Sequence, residues 1–154
     1  MSTIEIKDYN SRYHADFKRL NLYWLDKYNL TESHDLMILD DPEKHVINKD
    51  GSIFLAMDGE KVVGTVGIAK ESESVYELVK FAVDPEWQGR GIGKIMLERC
   101  LQVAKAKQAR KIFLFSNSQL RRALSLYEKY GFRSVPPTDS PLLTADVKME
   151  LILQ

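Results

Sequence analysis

The run Gln88-Gly89-Arg90-Gly91-Ile92-Gly93-Lys94 is the part of this chain whose residue types and spacing best match a chemical task, and the task is holding an anion. It follows an apolar stretch ending in Asp84-Pro85 and opens a long amphipathic segment, so it reads as strand, bare-backbone turn and helix start. Glycines at such a turn let several main-chain N–H groups close on one anionic group. The unpaired donors and positive dipole end of the helix add to the attraction. A phosphate or pyrophosphate is the expected guest. Two familiar phosphate loops fail against the residues. The nucleotide loop G-x-x-x-x-G-K-[ST] would need glycine at Gln88 and a hydroxyl at Ile95. The dinucleotide fingerprint G-x-G-x-x-G would need glycine at Lys94, and the first strand–helix unit of the chain carries no such loop.

The run does fit Q/R-x-x-G-x-G, with Gln88, Gly91 and Gly93 at the fixed positions. Before it stands the strand Leu78-Val79-Lys80-Phe81-Ala82-Val83. After it comes a block of the form A-x-x-x-Y-x-x-x-G-F, running from Ala123 through Tyr127 to Gly131-Phe132. In order, spacing and residue type these blocks resemble the Gcn5-related N-acetyltransferase family over roughly half of the chain. The resemblance implies an α/β (α+β) fold built on a central twisted, mixed and mostly antiparallel sheet of six to seven strands with about four helices. In such a fold the central parallel strands splay apart into a V-shaped cofactor slot. It also implies acetyl-CoA as cosubstrate without a metal, and attack of an amine on the thioester within a ternary complex.

That reaction needs a deprotonated amine, a polarised carbonyl, aligned reactants and a proton for the leaving thiolate. The resemblance assigns each of these. Glu77 stands 11 residues ahead of Gln88, the interval that separates base and loop glutamine in the family's histone acetyltransferases, and becomes the general base. Otherwise it is an exposed strand glutamate or an ion-pair partner, with Glu73 as the fallback. Phe81 falls where a main-chain N–H points at the thioester oxygen. With Ala82 between them, Val83 then runs beside the pantetheine like an added strand. Tyr127 takes the place of the general acid, since a phenol can protonate a thiolate of similar pKa; its alternative is core packing, the role expected of Tyr130. The loop residues Gln88, Gly89, Arg90, Gly91, Ile92, Gly93 and Lys94 would hold the pyrophosphate, with Lys129 near the nucleotide end, although Arg90, Lys94 and Lys129 also suit ordinary solvated bases. Asn117 would bond the pantetheine amides. Here the chain departs from the family, whose common asparagine sits three residues before the alanine, where this chain has Leu120; the stretch 116–120 resembles a subgroup with the asparagine moved upstream.

The elements that must position these groups follow from periodicity. Ile4-Glu5-Ile6 alternates as a strand, and Tyr13, Phe17, Leu20, Trp24 and Tyr28 make one apolar helix face over 11–28. Residues 29–49 form a second, shorter helical region, with Asp41-Pro42-Glu43 as a helix start. Strands are expected over 52–57 and 61–69 around an Asp58-Gly59 hairpin turn, then over 74–83. A helix over 92–109, a buried strand over 111–115, a helix over 119–130 stopped by Gly131, and strands over 132–135 and 147–153 complete the chain.

At 154 residues the chain suits a single domain, with 1–60 as the acceptor-side region and 61–154 as the acetyl-CoA-binding core. Net charge is zero, which speaks against non-specific nucleic-acid binding. The zero conceals 12 acids against 7 bases in residues 1–60 and 10 against 15 beyond. That asymmetry is either surface chance or a basic half receiving a polyanion while an acidic half faces a cationic acceptor. No apolar stretch reaches membrane-spanning length and the start turns acidic at once, which predicts a cytoplasmic protein without membrane association. The single cysteine, Cys100, reads as a small core residue, and His14, His34 and His45 lack metal-ligand spacing.

Three functions fit. A small-molecule amine acetyltransferase is favoured, because the aromatic helix and the acidic segment suit closure over a small acceptor. A protein or peptide acetyltransferase is the alternative within enzymes, and an acyl-CoA sensor without turnover the alternative outside them. A homodimer through the last strands is compatible with the resemblance. For the acceptor's ammonium, Asp35, Asp40, Asp41 and Glu43 offer anchors, although acids in such a segment are commonly solvated.

Overall fold

The computed structural model describes residues 3–153. Its centre is a seven-stranded sheet made of β1 (Ile4–Asp8), β2 (Ser52–Asp58), β3 (Lys61–Ser72), β4 (Val75–Val83), β5 (Lys111–Ser116), β6 (Arg133–Val135) and β7 (Val147–Ile152). The strands lie in the order β1-β2-β3-β4-β5-β7-β6, and every neighbouring pair is antiparallel except β4 with β5. Five helices cover the sheet: α1 (His14–Lys27), α2 (Ser33–Asp40), α3 (Pro42–His45), α4 (Ile92–Ala106) and α5 (Arg121–Lys129). The expected second helical region is thus two helices, separated at Asp41, whose side chain caps α3 by accepting from the Lys44 N–H.

Helices on both faces explain the sequence of β2, where Ile53, Phe54, Leu55, Ala56 and Met57 are all buried rather than alternating with polar residues. Phe54 and Ala56 join Ile92, Met96, Leu97 and Cys100 of α4 in one core cluster. Ile53 packs with Phe17 of α1 and Leu39 of α2, while Leu55 and Met57 pack with Leu20 of α1. Cys100 lies inside the first of these clusters, and burial pushes its thiol up to about 12, which suits packing and not reactivity.

Two features of β4 shape the centre of the molecule. The first is the brevity of its parallel pairing with β5, which is limited to Val75 with Lys111, Tyr76 with Ile112 and Glu77 with Phe113. Beyond Glu77 the two strands diverge and leave a slot. The second is a bulge: Val79 faces Gly67 and Ala82 faces Thr65, so Lys80 and Phe81 together oppose the single residue Val66. Lys80 takes a left-handed φ of 52°, an uncommon conformation for a side-chain-bearing residue.

Candidate functional site

The slot opens into two cavities that meet at Trp24, Phe81, Ala82 and Leu120. The smaller, about 140 Å³, lies between β4, β5, α1, α2 and the segment 136–146, and is lined among others by Glu77, Lys80, Tyr127, His34 and Asp35. The larger, about 760 Å³, runs from the slot to the glycine loop. Among the described residues its lining includes the cations Lys27, Lys94, Arg121, Arg122 and Lys129 and not one acid. A groove with that charge favours a polyanion.

The three glycines of the loop do different work. Gly89 and Gly91 have φ values of 78° and 79°, and a Cβ on either would meet nothing within 4 Å, so glycine is needed there for backbone conformation and leaves open approach to the main-chain donors. Gly91 is also the N-cap of α4. Gly93 is a packing residue instead, because a Cβ there would stand 3.1 Å from Phe81 Cζ and 3.4 Å from Leu126 Cδ2. Gln88 bridges the loop to its surroundings: its Nε2 donates to Val83 O at 3.4 Å, and its Oε1 accepts from Arg122 at 2.9 Å. Ile92 is buried beneath the loop and Lys94 is exposed in the groove. Arg90 lies outside the groove lining, stacked on Trp87 with its guanidinium carbon 4.4 Å from the ring centre.

Asp84 donates its N–H to Val63 O across β3 at 2.9 Å. Strand alternation therefore turns the main-chain groups of Val83 to the opposite edge, the one that β5 leaves uncovered, and Phe81 follows Lys80 in the bulge two residues before it. Trp24 of α1 reaches that edge, its indole N–H donating to Val83 O at 2.8 Å. Ala82, facing the other way, is buried against Leu20 and Leu55.

Glu77 stands where the parallel strands part, on the wall of the small cavity. Burial pushes its carboxyl up to about 7, the negative charge of Glu71 adds to the rise, and Lys80 and Lys148 pull it back. A carboxyl poised there can take a proton near neutrality. Glu73 lies elsewhere, its side chain 96% exposed in the β3–β4 turn beside Lys70. Tyr127 lines the same cavity as Glu77, with its ring against Phe81 and Phe132 at centroid distances of 5.8 and 5.7 Å. Burial raises its phenol well above the ordinary value, so it stays protonated but is a weaker acid than a free phenol, and its proton suits a thiolate formed in the same buried cavity, whose basicity burial raises as well. Tyr130 bonds Glu98 at 2.6 Å and lines neither cavity.

Asn117 lies on the small cavity, and its amide is engaged by the protein: Nδ2 donates to Thr144 O at 2.7 Å and Oδ1 accepts from the Gln119 N–H at 2.9 Å. Its visible work is to pin the segment 136–146 to the end of β5. Of the acids between α1 and β2, Asp40 pairs with Lys18, Asp41 caps α3, and Asp35 is 1% exposed and pairs with Lys80. The buried acid thus serves an ammonium of its own chain. Trp24, Lys27 and Tyr28 enter the large groove from the N-terminal part, while Pro141, Leu142, Thr144 and Ala145 enter the small cavity from the C-terminal part.

Sequence reasoning missed Arg121 and Arg122, for which a signal existed. Two arginines in the first turn of a helix oppose its positive dipole end, an arrangement that calls for an anion nearby. Lys27 had no such signal, and Trp24 was expected only on the aromatic helix face closing over the acceptor; both reach the large groove through tertiary packing of α1.

Residues 14–132 match the acetyltransferase (GNAT) family, and the chain belongs to that family. Its fold is therefore that of a GNAT N-acetyltransferase, a class that uses acetyl-CoA. Among curated proteins it is similar to the uncharacterized N-acetyltransferase YvbK of Bacillus subtilis, 30% identical over 105 residues that cover 66% of this chain and 68% of YvbK. Other curated relatives are longer and are matched over 29% to 53% of their own lengths. Among solved structures, a GNAT acetyltransferase from Staphylococcus aureus Mu50 superposes with a TM-score of 0.90 at 23% identity, covering 99% of this chain and 100% of the other. The PaiA N-acetyltransferase of Thermoplasma acidophilum, solved in complex with coenzyme A, superposes with a TM-score of 0.78 at 18% identity, covering 97% and 99%.

Proposed function

We propose that the chain binds acetyl-CoA in the large groove and transfers the acetyl group to the primary amine of a small molecule held in the small cavity. The observation that carries this reading is the junction of the two cavities at the β4–β5 divergence, with an acid-free cationic groove on one side and Glu77 on the other. The residues fit the donor. Gly89 and Gly91 leave room beside main-chain donors for the pyrophosphate, Lys94, Arg122 and Lys129 supply charge, and the edge of β4 at Val83, which β5 leaves open and where Trp24 and Gln88 bond only the carbonyl, suits an amide-bearing arm.

Glu77 accepts a proton from the acceptor's ammonium, and the freed nitrogen attacks the thioester carbon in the ternary complex. The N–H of Phe81 faces the oxygen on which negative charge develops. Once the C–N bond has formed, the C–S bond breaks and Tyr127 gives its proton to the departing thiolate; the second proton shed by the nitrogen restores the Tyr127 phenol, and Glu77 releases the first to solvent, so amide and free thiol leave with both side chains reset. A volume near 140 Å³ supports a compact acceptor, since a cavity of about 150 Å³ holds a molecule the size of benzene. A peptide would need an open groove in its place.

The test is release of coenzyme A thiol from acetyl-CoA with a panel of short amines, larger amines and lysine-bearing peptides. Turnover confined to compact amines is expected. Turnover with peptides alone, or donor binding without turnover on any acceptor, would contradict the reading.

A further inference from the structure

Lys80 carries a combination that an ordinary strand residue does not. Its φ of 52° is the only positive value within a strand among the described residues that bear a side chain, and a residue is held in that region only when its surroundings over-determine it. Two tethers do so here. Thr65, fully buried on β3, donates its hydroxyl to Lys80 O at 2.9 Å and accepts in turn from Asn21 Nδ2 at 3.0 Å; Asn21 also donates to Phe17 O, which fixes the chain of bonds to α1. On the side-chain end, the Lys80 ammonium meets Asp35 of α2 at 2.5 Å, with the two side chains only 10% and 2% exposed. The other oxygen of Asp35 accepts the Glu32 N–H at 2.9 Å, so the carboxylate is itself held in place.

We propose that Asp35 is a positioning residue for acetyl transfer: by clamping the Lys80 side chain it holds the left-handed bulge of β4, and the bulge aims the next N–H, that of Phe81, into the junction of the two cavities. The inference rests on the reading of Phe81 given above. Its physical basis is that β4 must change from pairing with β5 at Glu77 to facing an open slot at Phe81, and the extra residue of the bulge makes that change within four positions. Lys80 pairs with nothing on the neighbouring strands in the register of β4, so without its tethers it would relax to the extended conformation that a side chain prefers. Asp35 does not touch the reacting atoms in this scheme. It acts through Lys80.

The discriminating experiment exploits glycine, which adopts a positive φ without a clamp. Asp35→Asn is expected to lower kcat tenfold or more while the KM for acetyl-CoA stays within twofold, because the groove lining contains neither Asp35 nor Lys80. In a Lys80→Gly background the same Asp35→Asn change is expected to cost less than threefold in kcat. Thr65→Val, which removes the tether at the main chain, should behave in parallel and serves if Asp35→Asn proves too unstable to purify. Equal losses with and without Lys80→Gly would show that Asp35 does not act through Lys80 and overturn the inference. So would an unchanged kcat. A crystal structure of Asp35→Asn supplies a readout that needs no turnover: departure of Lys80 from the left-handed region supports the clamp, and retention contradicts it. Failure of the wild-type protein to acetylate any amine would instead count against the proposed function.

Discussion

Replacing Glu77 by glutamine isolates the proton transfer with little change in shape. The carboxyl titrates near 7 because it is half-buried at the strand divergence beside Glu71, and this predicts the acid limb of the pH–rate profile. A base of that pKa is about a tenth ionised at pH 6 and about nine-tenths at pH 8, so kcat/KM should rise about tenfold across this interval. Glu77→Gln should lower kcat/KM by about 10²- to 10⁴-fold and abolish that limb. The acceptor's own ionisation adds a second limb, which two amines of different basicity separate, since theirs moves and that of Glu77 does not. A stability signature accompanies the kinetic one. A carboxyl raised in the folded state contributes stability fully present below its unfolded value of 4.5 and lost as pH rises through about 7. Glutamine incurs no such loss, so Glu77→Gln should be more stable than wild type at pH 8, by up to about 3 kcal/mol, and equal to it near pH 4. Thermal unfolding at the two pH values reads this directly. An acid limb identical in wild type and variant, or a loss under about tenfold at pH 8, would refute the assignment.

Four further variants have expected outcomes. Tyr127→Phe keeps the ring against Phe81 and Phe132 and should lower kcat about a hundredfold while leaving the Kd for coenzyme A unchanged by calorimetry. Gly91→Ala forces a side chain into a φ of 79° and should weaken coenzyme A binding, whereas Gly93→Ala presses on Phe81 at 3.1 Å and should cost about 1–3 kcal/mol in unfolding measurements. Glu32 accepts from the Leu143 N–H, the Thr144 N–H and the Thr144 hydroxyl, so Glu32→Ala should speed amide exchange at Leu143 and Thr144. The Thr144 hydroxyl and then these main-chain donors hold the Glu32 carboxyl below its ordinary value, so in wild type the latch persists above the unfolded pKa and is lost as pH falls through the depressed one.

Much of this molecule could be read before its structure was known, because the signals involved are local. The glycine run followed by apolar positions at Ile92, Met96 and Cys100 announces a turn and helix, and the alternation at Met149 and Leu151 announces a strand. Helix ends slip by up to three residues, as at Gln108, whose φ of 61° closes the turn after α4. Residues of the candidate site that lie on one strand or one loop could be proposed from the sequence. The site is illegible where contacts join distant segments: Trp24 with Val83, Asp35 with Lys80, and Glu32 with Thr144 are 59, 45 and 112 residues apart. No periodicity connects such pairs. The splitting of 29–49 into α2 and α3 was hidden for a related reason, since it depends on the Asp41 cap and on burial of Leu39 and Val46 against Ile53.

In the proposed mechanism the divergence of β4 and β5 sets the Phe81 N–H at the junction of the two cavities and Glu77 and Tyr127 on the small cavity just beyond it. A crystal structure with bound acetyl-CoA is the decisive measurement. The thioester oxygen is expected within hydrogen-bonding distance of the Phe81 N–H, the sulfur facing the Tyr127 hydroxyl, and the acetyl group pointing into the cavity that holds Glu77. A thioester lying outside that junction, with Tyr127 and Glu77 on the far side of an intact wall, would contradict it.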